Sequence, residues 1–178
     1  SKLVFAPSAN QRFRLTVDAN EDYSTITGLS NLPLVPSPSS LSILSQDGRD
    51  HQTRARVSLE HEVDAVESAF ADSLRWQVYR QDSESTQRTV ERRGNNTVRN
   101  NLHNFDQRTY GLQATLHKAF ATGAGEHDVT YGLDASVTDS KEKRDGTSTN
   151  LTTGMVSNLV GQDRFPVRDF PISETTKI

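Results

Sequence analysis

Five histidines and the paired acids Glu60 and Glu62 are the residues of this 178-residue chain with the means to do chemistry. His61-Glu62 opens like the helical H-E-x-x-H motif, where two imidazoles one turn apart hold zinc and the glutamate acts as base. Ala65 stands where the second imidazole is needed, and the segment alternates like a strand, so no metal site is expected. No G-x-S-x-G elbow, phosphate loop or dinucleotide fingerprint occurs. Glu60 and Glu62 share a face with Arg54 and Arg56, which predicts a solvated ionic network rather than an acid–base couple. No residue is expected to be catalytic, and the chain does not read as an enzyme. An iron-binding histidine needs an accessible neutral imidazole. Among His51, His61, His103, His117 and His127 the best placed is His103, at the mouth of a long polar stretch. An ordinary surface histidine is its competing reading. His117 and His127 flank a glycine-rich turn. Asn95-Asn96-Thr97 and Asn150-Leu151-Thr152 match a sequon that short chains carry by chance. Glu91-Arg92-Arg93 offers charge to an acidic partner, with a solvated run as the default.

The elements that must position these groups announce themselves between Tyr110 and Val137. Tyr110, Leu112, Ala114 and Leu116 alternate with Gly111, Gln113, Thr115 and His117. After Ala121-Thr122-Gly123-Ala124-Gly125, Val129, Tyr131, Leu133, Ala135 and Val137 share one face against Asp128, Thr130, Gly132, Asp134 and Ser136. Period two with one apolar side predicts a β-hairpin. Each arm keeps its apolar side for roughly ten residues, the length with which a tilted strand crosses a bilayer. Only 33% of the chain is hydrophobic and 7% aromatic. A polar interior behind a single apolar stripe reconciles that composition with order, whereas a soluble core does not. The net charge of −3 and scattered cations exclude a nucleic-acid surface. Without cysteine there is no disulfide or thiolate site. No apolar run reaches the length of a membrane helix. Ser1 opens into Lys2-Leu3-Val4-Phe5 without a signal-peptide pattern, which reads as a mature chain or a piece of a longer one.

The same unit repeats along the chain. Lys2 to Ala6 reads as a strand end, stopped by a turn at Pro7 to Asn10. Phe13, Leu15, Val17 and Ala19 form the next stripe, with Glu21 and Tyr23 at its rim. Thr25 to Asp50, with Pro33, Pro36 and Pro38, reads as a long irregular loop. In His51 to Val63 the residues Ala55, Val57 and Leu59 face one way and Arg54 and Arg56 the other. An arginine at a bilayer midplane costs about 2–4 kcal/mol, so Arg54 and Arg56 must face inward and His61 sits near the lower interface. Asp64 to Asp72 is a shorter connection. Leu74, Trp76 and Val78 start another strand, but Arg80 then falls on the lipid parity. A bulge near Tyr79 is expected to correct it. Asp82 to Asn104 and Asp139 to Asp169 read as long polar loops. Lys118 sits on the lipid parity and is expected to snorkel at the lower edge. Phe170-Pro171-Ile172 begins a further strand. The fold expected is all-β: an antiparallel meander of about five to seven strands forming part of a large transmembrane β-barrel. A spanning sheet cannot keep open edges in lipid, so residues 1–178 are expected to be one segment of a larger barrel.

Four segments carry a family resemblance: Leu74-Arg75-Trp76-Gln77-Val78-Tyr79-Arg80-Gln81, Asn104 to Leu112, Thr130 to Ser136, and Val160 to Pro171. In order and spacing they resemble the barrel of TonB-dependent outer-membrane receptors of the haem/haemoglobin and transferrin/lactoferrin group. The resemblance implies a 22-stranded barrel in a Gram-negative outer membrane, closed by a plug domain. Such a receptor binds haem or a haem protein at its extracellular loops and imports haem with energy from TonB. The plug, the TonB-contacting box and the F-R-A-P and N-P-N/D-L motifs are absent from this chain, so no family ligand carries over. Haem is then the cargo of the intact receptor rather than a cofactor of this segment. A siderophore receptor of the same fold and a soluble β-sandwich binding module are the alternatives.

Overall fold

A computed structural model describes residues 1–29, 32–35, 38, 42–66, 68–167 and 173–177; for the last five it describes the backbone only. The strands are β1 (Lys2–Ser8), β2 (Gln11–Thr27), β3 (Ile43–Asp64), β4 (Ser73–Arg93), β5 (Thr97–Thr122), β6 (Gly125–Asn150), β7 (Val156–Ser157), β8 (Leu159–Val160), β9 (Asp163–Arg164) and β10 (Ser173–Lys177). They form one antiparallel meander in the order β1-β2-β3-β4-β5-β6-β10, with β7 also against β6 and β8–β9 as a separate small hairpin. The fold is all-β. The sheet is open, with β1 and β10 at its edges. Pro36 and the run Phe170-Pro171-Ile172 lie outside the described residues.

Alternation and register agree across the sheet. Phe13 pairs with His61, His61 with Trp76, Trp76 with Ala114 and Ala114 with Leu133, so the apolar parities of five strands fall on one face. The other parity carries Arg14, Glu60, Gln77, Gln113 and Gly132. At the tight end of β5–β6, Gly125 sits at φ 139°, a conformation open to glycine and strained for other residues. Pro7 lies where the β1–β2 register shifts between Phe5 and Ser8, on an edge strand that can do without its missing N–H.

Among the described residues only Ala71, Val160 and Phe165 are buried hydrophobics. Val57, Leu112 and Leu133 remain 47%, 40% and 48% exposed, because no second layer covers the apolar face among the described residues. A sandwich would need that layer.

Three expectations are corrected. The β3–β4 register runs unbroken from Ser45↔Arg92 to Asp64↔Ser73, so there is no bulge at Tyr79 and Arg80 keeps the apolar parity. The expected loops at Asp82–Asn104 and Asp139–Asp169 are largely strand: β4 continues to Arg93, β5 starts at Thr97 and β6 runs to Asn150. The irregular stretch expected at Thr25–Asp50 shrinks likewise, since β2 reaches Thr27 and β3 begins at Ile43. Backbone ladders need no apolar alternation where both faces meet water, so hydropathy stops before the strands do.

Candidate functional site

On β2 and β5 the apolar face is bounded by aromatic residues at the same spacing. On β2 the stripe runs from Phe13 to Tyr23, and on β5 from Phe120 to Tyr110, ten positions in each case. Register ties the two. Tyr23 lies level with His51, Thr86 and Asn104, and Asn104 stands six positions from Tyr110. Phe13 lies level with His61, Trp76 and Ala114, which is again six positions from Phe120. Both boundaries therefore slide by two residues per strand over three strand steps. With a rise of about 3.3 Å per residue and about 4.8 Å between strands, that slope corresponds to strands tilted about 50° from the normal of the belt. Ten residues at that tilt give a belt roughly 20 Å high.

Histidines of the apolar parity sit at these boundaries, each against an aromatic ring. His61 stacks on Phe13 at 3.9 Å and meets Trp76 edge-on at 5.7 Å. His51 stacks on Tyr23 at 4.3 Å and reaches Glu21 at 2.9 Å. His127 stacks on Phe120 at 5.1 Å.

On β4, Arg80 keeps the apolar parity and lies level with Tyr110. Its Nε and Nη2 donate to Asp82 at 2.7 and 3.1 Å, and Arg108 Nε donates to the same carboxylate at 2.7 Å. Arg80 also lies 5.8 Å from the Tyr110 ring centroid. Sequence reasoning missed this group. Its signal was there in the broken parity at Arg80, with Asp82 two residues on.

On the polar face Glu62 receives Arg12, Arg14 and Arg75 at 3.3, 3.9 and 2.5 Å, and Arg14 also pairs with Glu60. The network expected for these acids is present, but its cations are not Arg54 and Arg56. Arg54 pairs with Asp18 at 2.8 Å, while Arg56 lies 4.1 Å above the Tyr79 ring. That ring in turn lies flat on Gly111, where a Cβ would come within 2.2 Å of it.

At the lower end the β3–β4 connection folds against the β5–β6 hairpin. Lys118 does not extend freely; its Nζ reaches Asp72 at 2.6 Å and the Ser68 carbonyl at 3.0 Å. Asp72 also accepts the Ala119 N–H at 2.8 Å, and the Tyr131 hydroxyl donates to the Phe70 carbonyl at 2.6 Å. Bonds from Lys118 and the Ala119 amide hold the Asp72 carboxyl below its ordinary value. His117, as expected near this turn, bonds Asp128 at 2.6 Å.

The upper reach of β4, β5 and β6 stands well beyond the belt. His103 lies mid-strand here, half-buried between Gln87 and Arg144 on the polar-parity face, rather than at a loop mouth. Phe165, 6% exposed, packs on Gly146 of this same face, and Asp163 lies 3.4 Å from Arg144. Glu91 and Arg93, each side chain 13% exposed, pair with one another at 2.7 Å and so form no solvated docking run. The two sequons meet at the tips, where Asn96 Nδ2 donates to Thr152 Oγ1 at 2.8 Å. Among the described residues no group of three or more His, Cys, Asp or Glu side chains is arranged to hold a metal ion. No helix among the described residues is long and apolar enough to cross a membrane, which leaves crossing by strands untouched. No family model matches the chain, and no curated protein matches it either.

Proposed function

We propose that this sheet is a sector of a transmembrane β-barrel in the outer membrane of a Gram-negative bacterium, within a TonB-dependent receptor that imports haem or haem taken from haem proteins. One observation carries the membrane reading: an uncovered apolar belt, aromatic at both margins on β2 and β5, whose two margins are offset by the same six residues between those strands. A flat bilayer imposes this slant on tilted strands, and a belt roughly 20 Å high is close to the apolar band of about 25 Å on outer-membrane barrels. The Arg-Glu network then faces the wet interior, where it seats the plug domain. β4, β5 and β6 rise some 40 Å along the strand above Tyr110 and form the capture surface outside. The protein moves its cargo and performs no covalent chemistry on it.

The receptor class and its haem cargo rest on the four resembling segments. Two measurements test the reading. In the full-length protein folded into vesicles, an environment-sensitive fluorophore on Leu133→Cys is expected to report hydrocarbon and one on Asp134→Cys to report water. Equal, water-like signals from both would remove the membrane assignment. A hemin titration of the full-length receptor is expected to saturate, and His103→Ala is expected to shift the Soret band if that imidazole holds iron. A spectrum and affinity unchanged by His103→Ala retire the residue, and no hemin binding at all favours a siderophore as cargo.

A further inference from the structure

We propose that the β3–β4 connection is an interfacial foot, whose Phe70 ring inserts among the glycerol and upper acyl segments of phospholipid at the lower edge of the belt. The inference rests on the membrane reading and adds to it a lipid contact made outside the strands. Two side chains of the sheet hold the connection. Lys118 Nζ reaches the Ser68 carbonyl and the Asp72 carboxylate, and the Tyr131 hydroxyl donates to the Phe70 carbonyl. Lys118 and Tyr131 have the parity of Leu116 and Leu133, so the connection folds onto the outward side of the sheet. Lys118 stands two residues from Phe120, and Tyr131 four from His127, which is level with Phe120. The connection therefore lies beside the lower aromatic margin of β5 and β6.

Phe70 is 78% exposed while its neighbour Ala71 is 2% exposed, so the turn tucks in a methyl group and projects a ring. A ring held out in water forfeits the burial that is the main gain of an aromatic side chain. Independently of the ring, the backbone around it is prepared to leave water. The Phe70 N–H donates to Ser68 Oγ at 3.3 Å, and its carbonyl is taken by Tyr131. The Ala71 N–H donates to the same Oγ at 2.9 Å, and the Ser68 hydroxyl donates to the Ala71 carbonyl at 3.0 Å. The Ser68 N–H donates to the Val66 carbonyl, and its own carbonyl takes Lys118. The Asp72 N–H donates to the His117 carbonyl and its carbonyl accepts the Val66 N–H, each at 2.8 Å. Ser68, Phe70, Ala71 and Asp72 thus have both backbone groups satisfied, which a loop at membrane depth requires and a loop in water does not. Lys118 and Asp72 pair at 2.6 Å and enter the interface as a neutral couple. The contact then depends on the depth of the ring and not on headgroup charge.

The test uses the full-length protein in phosphatidylcholine vesicles, with a fluorophore on Phe70→Cys. Quenching by lipids brominated at shallow or deep acyl positions is compared with quenching by aqueous iodide. The label is expected about 5–10 Å below the headgroups, quenched most by shallow bromine and little by iodide. Ala69→Cys, exposed on the same turn, serves should the first label disturb it. With no label, Phe70→Ser is expected to lower the urea midpoint in vesicles, and Phe70→Trp to keep it. Quenching by iodide without quenching by bromine overturns the proposal, because the tip then stands in water. Stronger quenching by deep than by shallow bromine overturns it too, by placing the ring inside the belt. So does a midpoint that Phe70→Ser leaves unchanged. The Leu133→Cys probe in the same vesicles reports insertion, so failure of the foot is distinguishable from failure of the membrane reading.

Discussion

Tyr79, Gly111 and Arg56 show how one missing side chain shapes the polar-parity face. Gly111 is opposite Tyr79 in the β4–β5 register, and its bare Cα is what lets the ring lie flat. Arg56 then covers the ring from β3 at 4.1 Å. Gly111→Ala forces the ring off the strand and is expected to destabilise the folded protein by about 1–3 kcal/mol. Urea unfolding in vesicles measures this. Combining it with Tyr79→Ala should recover much of the loss, since the two substitutions share one contact. An additive pair would show that the stack contributes nothing. The glycine is visible in the sequence, but its reason is not, because nothing local says which residue of the previous strand lies opposite.

At the scale of elements, the β3–β4 connection is tied to the β5–β6 hairpin by Asp72, which bridges Lys118 and the Ala119 amide. The sign of its pH dependence follows from the lowered pKa. The tie is fully present above the ordinary aspartate value of about 3.9 and is lost as pH falls through the depressed folded value. The Ala119 amide resonance is expected to shift with a midpoint below that ordinary value, and Asp72→Asn to abolish the transition. A midpoint at or above it would mean the tie does not hold in solution. Both partners were legible as single residues, Lys118 as a lone cation on the apolar parity. Their meeting depends on the fold of a connection with no periodic signal.

For the whole molecule, the proposed membrane reading makes the face on which a charge lies decide what it costs. Leu112→Arg places a guanidinium in the middle of the belt and is expected to cost about 2–4 kcal/mol of folding free energy in vesicles. Gln113→Arg, one residue on, points inward beside Asp134, which Gln113 already bonds at 3.0 Å, and is expected to change stability by less than about 0.5 kcal/mol. Refolding midpoints in urea compare the two. Equal effects would mean that the faces do not differ in solvent. Of the native arginines, Arg54, Arg56 and Arg75 lie on the polar parity, while Arg80 and Arg108 lie on the other and share the Asp82 carboxylate.

Sequence alone determined the strand type, the sidedness of each strand and the hairpin at Gly123, because alternation is a local, period-two property. It did not determine where strands end. Beyond the belt the alternation stops, so β4 to Arg93 and β6 to Asn150 are held by neighbouring backbone that no hydropathy pattern encodes. Nor did it find the Arg80–Asp82–Arg108 group, the offset of the aromatic margins between β2 and β5 or the mid-strand place of His103. Each depends on which residue of one strand lies level with which residue of the next, and that register exists only in the assembled sheet.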